Sequence, residues 1–174
     1  MPEPPTAPRH ALTVTSRSEH DTVALGHAIG SSLQPGDTVL LTGELGAGKT
    51  VLVKGMAQAA GSPEPARSPT FVLLITYPGA VTLHHCDLYR IVSEAEVDDL
   101  ALDECLEDGA LVVEWAERAG GALPLDALWV TFAVDIETDV RSILLEPGGP
   151  ASERLLKRTA GAARSSRLCP EHTA

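Results

Sequence analysis

The run Val39-Leu40-Leu41-Thr42-Gly43-Glu44-Leu45-Gly46-Ala47-Gly48-Lys49-Thr50 joins an apolar strand to G-x-x-x-x-G-K-T, and a helical segment to Ala60 follows. Strand, glycine-rich turn and helix in that order make the P-loop pattern in its required context. Each residue type has a physical task. Gly43, Gly46 and Gly48 let the backbone turn tightly and aim N–H groups at phosphate oxygens. The helix beginning at Lys49 adds its positive N-terminal end. In this motif the lysine, Lys49, reaches the β- and γ-phosphates and the hydroxyl of Thr50 binds Mg²⁺. Glu44, Leu45, Gly46, Ala47, Gly48, Lys49, Thr50 and Val51 are therefore the expected ATP-binding residues.

The rest of the chain supplies strands and helices in alternation. Ala11–Thr15 has the look of a short strand. Ser18-Glu19-His20-Asp21 is a helix start of the S-x-x-D kind, followed by apolar residues at helical spacing through Leu33. Pro35-Gly36-Asp37 is a turn into the strand Thr38–Thr42. Gly61 and Pro63 stop the helix that follows the P-loop. The segments Phe71–Tyr77 and Val81–Cys86 read as a hairpin about Pro78-Gly79. Ser93–Leu106 is an acidic helix with a solvated face. Asp108-Gly109 turns the chain into a buried strand, Ala110–Val113. Leu128–Val134 and Val140–Leu145 are two further strands, and Ser152–Arg158 is a short helix. The expected fold class is α/β: a P-loop NTPase-like three-layer sandwich with a mixed, mostly parallel central sheet. The expected division is a disordered arm over residues 1–10, a P-loop ATPase domain over 11–150, and a short helix with a basic flexible tail over 151–174.

Composition narrows the function. The 174 residues carry a net charge of −11, with 44% apolar and 3% aromatic residues, so Val, Leu and Ala fill the core. Five Lys/Arg against two Asp/Glu after residue 150 leave −14 on the body. An acidic body argues against free-standing binding to DNA or RNA. Three cysteines, Cys86, Cys105 and Cys169, show no C-x-x-C spacing and read as reduced thiols. With no long apolar run and no signal-peptide pattern, a soluble, cytoplasmic protein without membrane contact is expected.

A P-loop needs a carboxylate near Mg²⁺ at the end of a neighbouring buried strand. Leu111-Val112-Val113-Glu114 offers one, beside Trp115; the bland alternative is a surface Glu at a strand end. Glu in place of the usual Asp adds a methylene, so the contact runs directly or through water. Asp87, in His84-His85-Cys86-Asp87-Leu88-Tyr89-Arg90, is a second strand-end carboxylate, placed to orient the attacking water or to stand behind the direct Mg²⁺ ligands. His-His-Cys-Asp does not make a zinc site, because neighbouring strand residues point to opposite faces. Ser68-Pro69-Thr70-Phe71 follows the P-loop helix where switch loops carry a γ-phosphate sensor, here Ser68 or Thr70. The chain contains no asparagine, which removes the guanine-reading N-K-x-D and the protein-kinase H-R-D-x-x-x-x-N.

G-E-L-G-A-G-K-T, S-P-T-F, H-x-D-L-Y-R and V-E-W, in this order and spacing, resemble the TsaE family of small bacterial P-loop ATPases. The resemblance covers about Thr13 to Leu145. It implies an ATP- and Mg²⁺-dependent ATPase needed for threonylcarbamoyladenosine on tRNA, working with a TsaB–TsaD complex and meeting tRNA only indirectly. It implies that Lys49, Asp87 and Glu114 are catalytic, that Thr50 and Glu114 serve the metal, and that Ser18 and Glu19 lie near the adenine. Two other readings remain at this point: a P-loop small-molecule kinase, although no arginine-bearing lid is evident, and a nucleotide-dependent binding module with negligible turnover.

Overall fold

The computed structural model describes residues 10–165. Among them the elements run β1 (Leu12–Ser16), α1 (Glu19–Gly30), β2 (Thr38–Thr42), α2 (Lys49–Ala59), β3 (Leu74–Tyr77), β4 (Thr82–Asp87), α3 (Glu94–Asp98), α4 (Cys105–Asp108), β5 (Gly109–Glu114), β6 (Leu128–Val134), β7 (Arg141–Pro147) and α5 (Pro150–Ser165), with a 3₁₀ turn at Ala116–Ala119. The seven strands form one sheet in the order β1-β7-β6-β2-β5-β4-β3. Its centre, β6-β2-β5-β4, is parallel, and β7, β1 and β3 pair antiparallel at the flanks. This is the mixed, mostly parallel sheet that the alternation of elements predicts.

Alternation along the buried strands divides the core into two layers. Val39 and Leu41 of β2, with Ala110 and Val112 of β5, pack under α1, α2 and α5. Leu40, Leu111 and Val113 point the other way, against Val97, Leu102, Ala116, Ala119 and Leu123. A sheet covered on both faces gives the three-layer sandwich, and explains why β2 and β5 read as unbroken apolar runs.

Helix α1 begins where S-x-x-D predicts, with the Ser18 hydroxyl accepting from the Asp21 amide at 3.1 Å. Its tight seat on α2 depends on glycine. A Cβ on Gly26 would run into the Leu52 carbonyl, and one on Gly55 into the Val23 carbonyl.

Several expected boundaries are corrected. The acidic segment 93–106 is not one helix: α3 stops at Asp98, Ala101 turns left-handed at φ 48°, and Val97 and Leu102 are buried in the core while Leu100, Cys105 and Leu106 pack on it half-buried. Asp108-Gly109 is not a free turn, since α4 runs directly into β5. The first hairpin strand starts at Leu74 rather than Phe71, because Leu73 at φ 66° breaks the extended chain and Phe71 and Val72 stay exposed. The helix expected over 152–158 extends from Pro150 to Ser165, so residues 159–165 of the expected tail are helical. Leu155, Leu156, Thr159 and Ala163 share its buried face, and Asp126 caps it by accepting from the Ala151 and Ser152 amides at 2.8 and 2.9 Å. Residues 1–9 of the expected arm and 166–174 of the tail, with Cys169, lie outside the described residues. Among the described residues no helix is long and apolar enough to cross a membrane.

Candidate functional site

The four parallel strands all run toward one edge of the sheet, and ligands of open α/β sheets bind outside that edge. There the loop from β2 to α2 turns through Gly43, Gly46 and Gly48 at φ 136°, 79° and 110°. Gly48 immediately precedes the first residue of α2, so the loop delivers its amides and the helix terminus to the same place. A cavity of about 280 Å³ opens beside it, lined by residues 45–51, Ser68, Thr70, Asp87, Tyr89, Glu114 and Trp115.

Strand alternation explains the convergence on this cavity. Leu83, His85 and Asp87 of β4 share one face with Ala110, Val112 and Glu114 of β5, the face that α2 covers, and Asp87 stands opposite Glu114 in the ladder. Cys86 points to the other face, where burial and then the Asp87 carboxylate push its thiol up to about 12. The Thr50 hydroxyl at the start of α2 donates to Glu114 Oε1 at 2.8 Å. His85 Nε2 meets the same oxygen at 2.9 Å. Thr50 and Glu114, expected to serve one metal ion, are thus in direct contact at the base of the cavity. A hydroxyl beside a carboxylate is the hard oxygen donor set that suits Mg²⁺.

Lys49 is 4% exposed and is folded onto its own loop, donating to the Gly43 carbonyl at 2.6 Å and the Glu44 carbonyl at 2.9 Å. Its ammonium also lies 3.8 Å from the centre of the Trp115 ring. Burial lowers the Lys49 pKa, and the Glu114, Glu117 and Asp87 carboxylates oppose that shift. Trp115 reaches this position through a left-handed backbone at φ 59° directly after β5.

Asp87 is held by the expected sensor loop. Thr70 Oγ1 donates to its Oδ2 at 2.6 Å and Ser68 Oγ at 3.2 Å, while its Oδ1 accepts from the Tyr89 amide at 2.8 Å. Tyr77, 3% exposed, anchors the base of that loop: its hydroxyl accepts from the Arg67 amide at 3.0 Å and donates to the Arg67 carbonyl at 3.2 Å.

Ser68, Thr70, Asp87, Glu114, Lys49, Thr50 and the loop residues from Leu45 to Val51 are therefore brought together. Glu44 contributes its carbonyl to Lys49. Ser18 and Glu19 do not line this cavity; Ser18 caps α1 and Glu19 lies 3.8 Å from Lys54. Sequence reasoning missed Arg141. It comes from late in the sequence, where β7 begins, donates from Nε to the Ala47 carbonyl at 3.1 Å, and lines a second cavity of about 540 Å³ that also includes Arg17 and Thr138. No local motif marks Arg141; only its position in the folded sheet does. His84 lies on the other face of β4 and bonds Thr76 and Asp108 at 3.0 and 2.9 Å, so the two histidines diverge as alternation requires.

Comparison with known proteins agrees with this geometry. The sequence model of the family described as "Threonylcarbamoyl adenosine biosynthesis protein TsaE" matches residues 16–143. A "tRNA threonylcarbamoyladenosine biosynthesis protein TsaE" of Treponema pallidum is 44% identical over 114 residues, covering 65% of this chain and 84% of the relative. The protein of the same name from Bacillus subtilis is 38% identical over 112 residues, covering 63% and 70%. The crystal structure of Bacillus subtilis YdiB superposes with a TM-score of 0.71 at 29% identity, covering 87% of this chain and 95% of that one. A P-loop at the carboxyl edge of a mixed sheet, a Thr–Glu pair at its base and a match over most of the chain lead to one assignment: this protein belongs to the TsaE family, with a P-loop NTPase-type site.

Proposed function

We propose that the protein is the Mg²⁺-dependent ATPase subunit of threonylcarbamoyladenosine synthesis on tRNA, working with a TsaB–TsaD complex. The observation that carries the nucleotide half of this reading is the 2.8 Å contact between Thr50 and Glu114 at the base of a cavity walled by the P-loop and Lys49. The tRNA half rests on the family and on the names of the relatives.

The chain's own groups divide the work. Amides from Gly46 to Thr50 and the α2 N-terminus hold the phosphate chain. Lys49 leaves the Gly43 and Glu44 carbonyls to meet the β- and γ-phosphates. Thr50 and Glu114 would hold Mg²⁺, which would supply neutralisation of charge on the phosphate oxygens. Asp87 orients the attacking water, and Ser68 and Thr70, now on its carboxylate, sense the γ-phosphate. Arg141 supports a nucleoside position in the second cavity, since it joins that cavity to the P-loop. Arg17 on its wall precedes Ser18 and Glu19, the residues expected near the adenine. Catalysis of this kind is positioning and electrostatic stabilisation, with little covalent chemistry asked of the protein.

The test is threonylcarbamoyladenosine formation on tRNA by a purified TsaB–TsaD pair given a threonylcarbamoyl donor, with and without this protein and ATP. Sustained formation only when both are present is the expected result. Equal formation without the protein, or transfer of the γ-phosphate to a small-molecule acceptor, would overturn the reading.

A further inference from the structure

A buried histidine stands behind the metal-side carboxylate, and nothing in the P-loop motif calls for it. His85 has no exposed surface, and it stands on the same face of the sheet as Leu83 and Val112. Nε2 lies 2.9 Å from Glu114 Oε1. That oxygen also takes the Thr50 hydroxyl at 2.8 Å. Both hydrogen bonds that reach the Glu114 carboxylate from the described residues therefore end on one oxygen.

The other imidazole nitrogen, Nδ1, is buried and has no hydrogen-bond partner among the described residues. A buried polar side chain with one nitrogen unmatched is a cost that an apolar residue of similar size would avoid. The neighbours give no compensating packing reason for an imidazole: the nearest ring, Tyr77, is tilted at 6.3 Å between centroids. Among the described residues, the one hydrogen bond that the His85 side chain makes is the one to Glu114.

We propose that His85 is a positioning residue for the metal. It donates its Nε2 proton to Glu114 Oε1, the oxygen that also takes the Thr50 hydroxyl, and so fixes the direction of the carboxylate that would hold the ion beside Thr50. A Glu side chain has one more rotatable bond than the Asp usual at this place, so its carboxylate needs a second hold to keep a fixed direction. Hydrogen-bond partners behind a metal ligand typically set metal affinity by about 10- to 100-fold. The donor direction follows from Oε1, which can only accept when ionised. The inference rests on the proposed ATP and Mg²⁺ reading of the site.

The test is binding, not turnover. AMP-PNP affinity of the full chain is measured at a series of free Mg²⁺ concentrations and in EDTA, for wild type, His85→Leu and His85→Gln. His85→Leu should raise the half-saturating Mg²⁺ about tenfold or more, with the affinity in EDTA changed less than about twofold. His85→Gln, which can place an amide N–H near the lost Nε2–H, should recover most of the Mg²⁺ response. An unchanged Mg²⁺ response in a folded His85→Leu overturns the inference, as does an equal loss with and without Mg²⁺. If wild type binds AMP-PNP with no Mg²⁺ response, the ATP and Mg²⁺ reading itself fails and the inference falls with it. A second readout needs no mutation. In ¹⁵N spectra of wild type, the His85 imidazole should carry its proton on Nε2, and adding Mg²⁺ with AMP-PNP should move that resonance further than AMP-PNP in EDTA. An Nδ1–H tautomer overturns the proposal even if both variants fail to fold.

Discussion

At the level of single residues, the site is a set of oxygens already partnered with one another. Thr50 sits on Glu114, and Thr70 and Ser68 sit on Asp87. Thr50→Ala should therefore weaken the Mg²⁺ dependence of phosphate release, while Thr50→Ser, which keeps the oxygen, stays within about threefold of wild type. Mg²⁺ titrations of both variants check this, and coincident curves for wild type and Thr50→Ala would contradict it. The two carboxylates should separate in their effects. Glu114→Ala acts mainly on Mg²⁺ affinity. Asp87→Ala lowers kcat with ATP still bound, as loss of a transition-state interaction does. ATP affinity and kcat for each variant decide the matter, and the reverse pattern would exchange the two roles. Most of these residues were legible in the sequence because each is tied to a strand end or to the P-loop. The partners behind them were not. Tyr77 lies in an apolar strand whose pattern marks it only as a strand residue, His85 opens H-x-D-L-Y-R without that motif saying what its ring bonds, and Arg141 reaches the P-loop from nearly a hundred positions away.

The elements that carry the site are held by close backbone contact. Helices α1 and α2 meet where Gly26 faces Leu52 and Gly55 faces Val23, with no room for a methyl group. Gly55→Ala should force the helices apart and cost about 1–3 kcal/mol, a fall in Tm of about 2–4 °C per kcal/mol for a chain of this size. Thermal unfolding measures it, and an unchanged Tm would mean the helices can separate freely. The same element scale shows where sequence patterns reach and where they stop. β2, β5 and β6 were readable because burial on both faces or on one leaves a run or an alternation. The segment 93–106 was not, because its fully buried apolar residues, Val97 and Leu102, lie five residues apart and Ala101 turns the chain left-handed between them. Helix α5 extended past its expected end because Thr159 and Ala163 are buried against the core, a demand that small and polar residues do not announce.

At the scale of the whole molecule, charge and the open site govern partners. The net charge of −11 opposes direct capture of tRNA, and the exposed acids of residues 94–108 add a local negative band. No stable complex with bare tRNA is expected at physiological salt in a filter-binding assay, and retention there would contradict this. A small P-loop protein that leaves Ser68 and Thr70 latched to Asp87 should turn over slowly alone. We expect the TsaB–TsaD pair to raise its phosphate release severalfold, and Thr70→Ala to change that response; a pair that neither binds nor alters the rate would remove the partner claim. The central claim, that the cavity at the carboxyl edge of the sheet is a Mg²⁺-dependent ATPase site built on Lys49, has one direct measurement: phosphate release from ATP by wild type and by folded Lys49→Ala. Loss of charged hydrogen bonds worth about 1.5–3 kcal/mol each predicts a drop of at least about tenfold in kcat/KM, with the circular dichroism spectrum retained. A folded Lys49→Ala that releases phosphate at the wild-type rate would contradict the account.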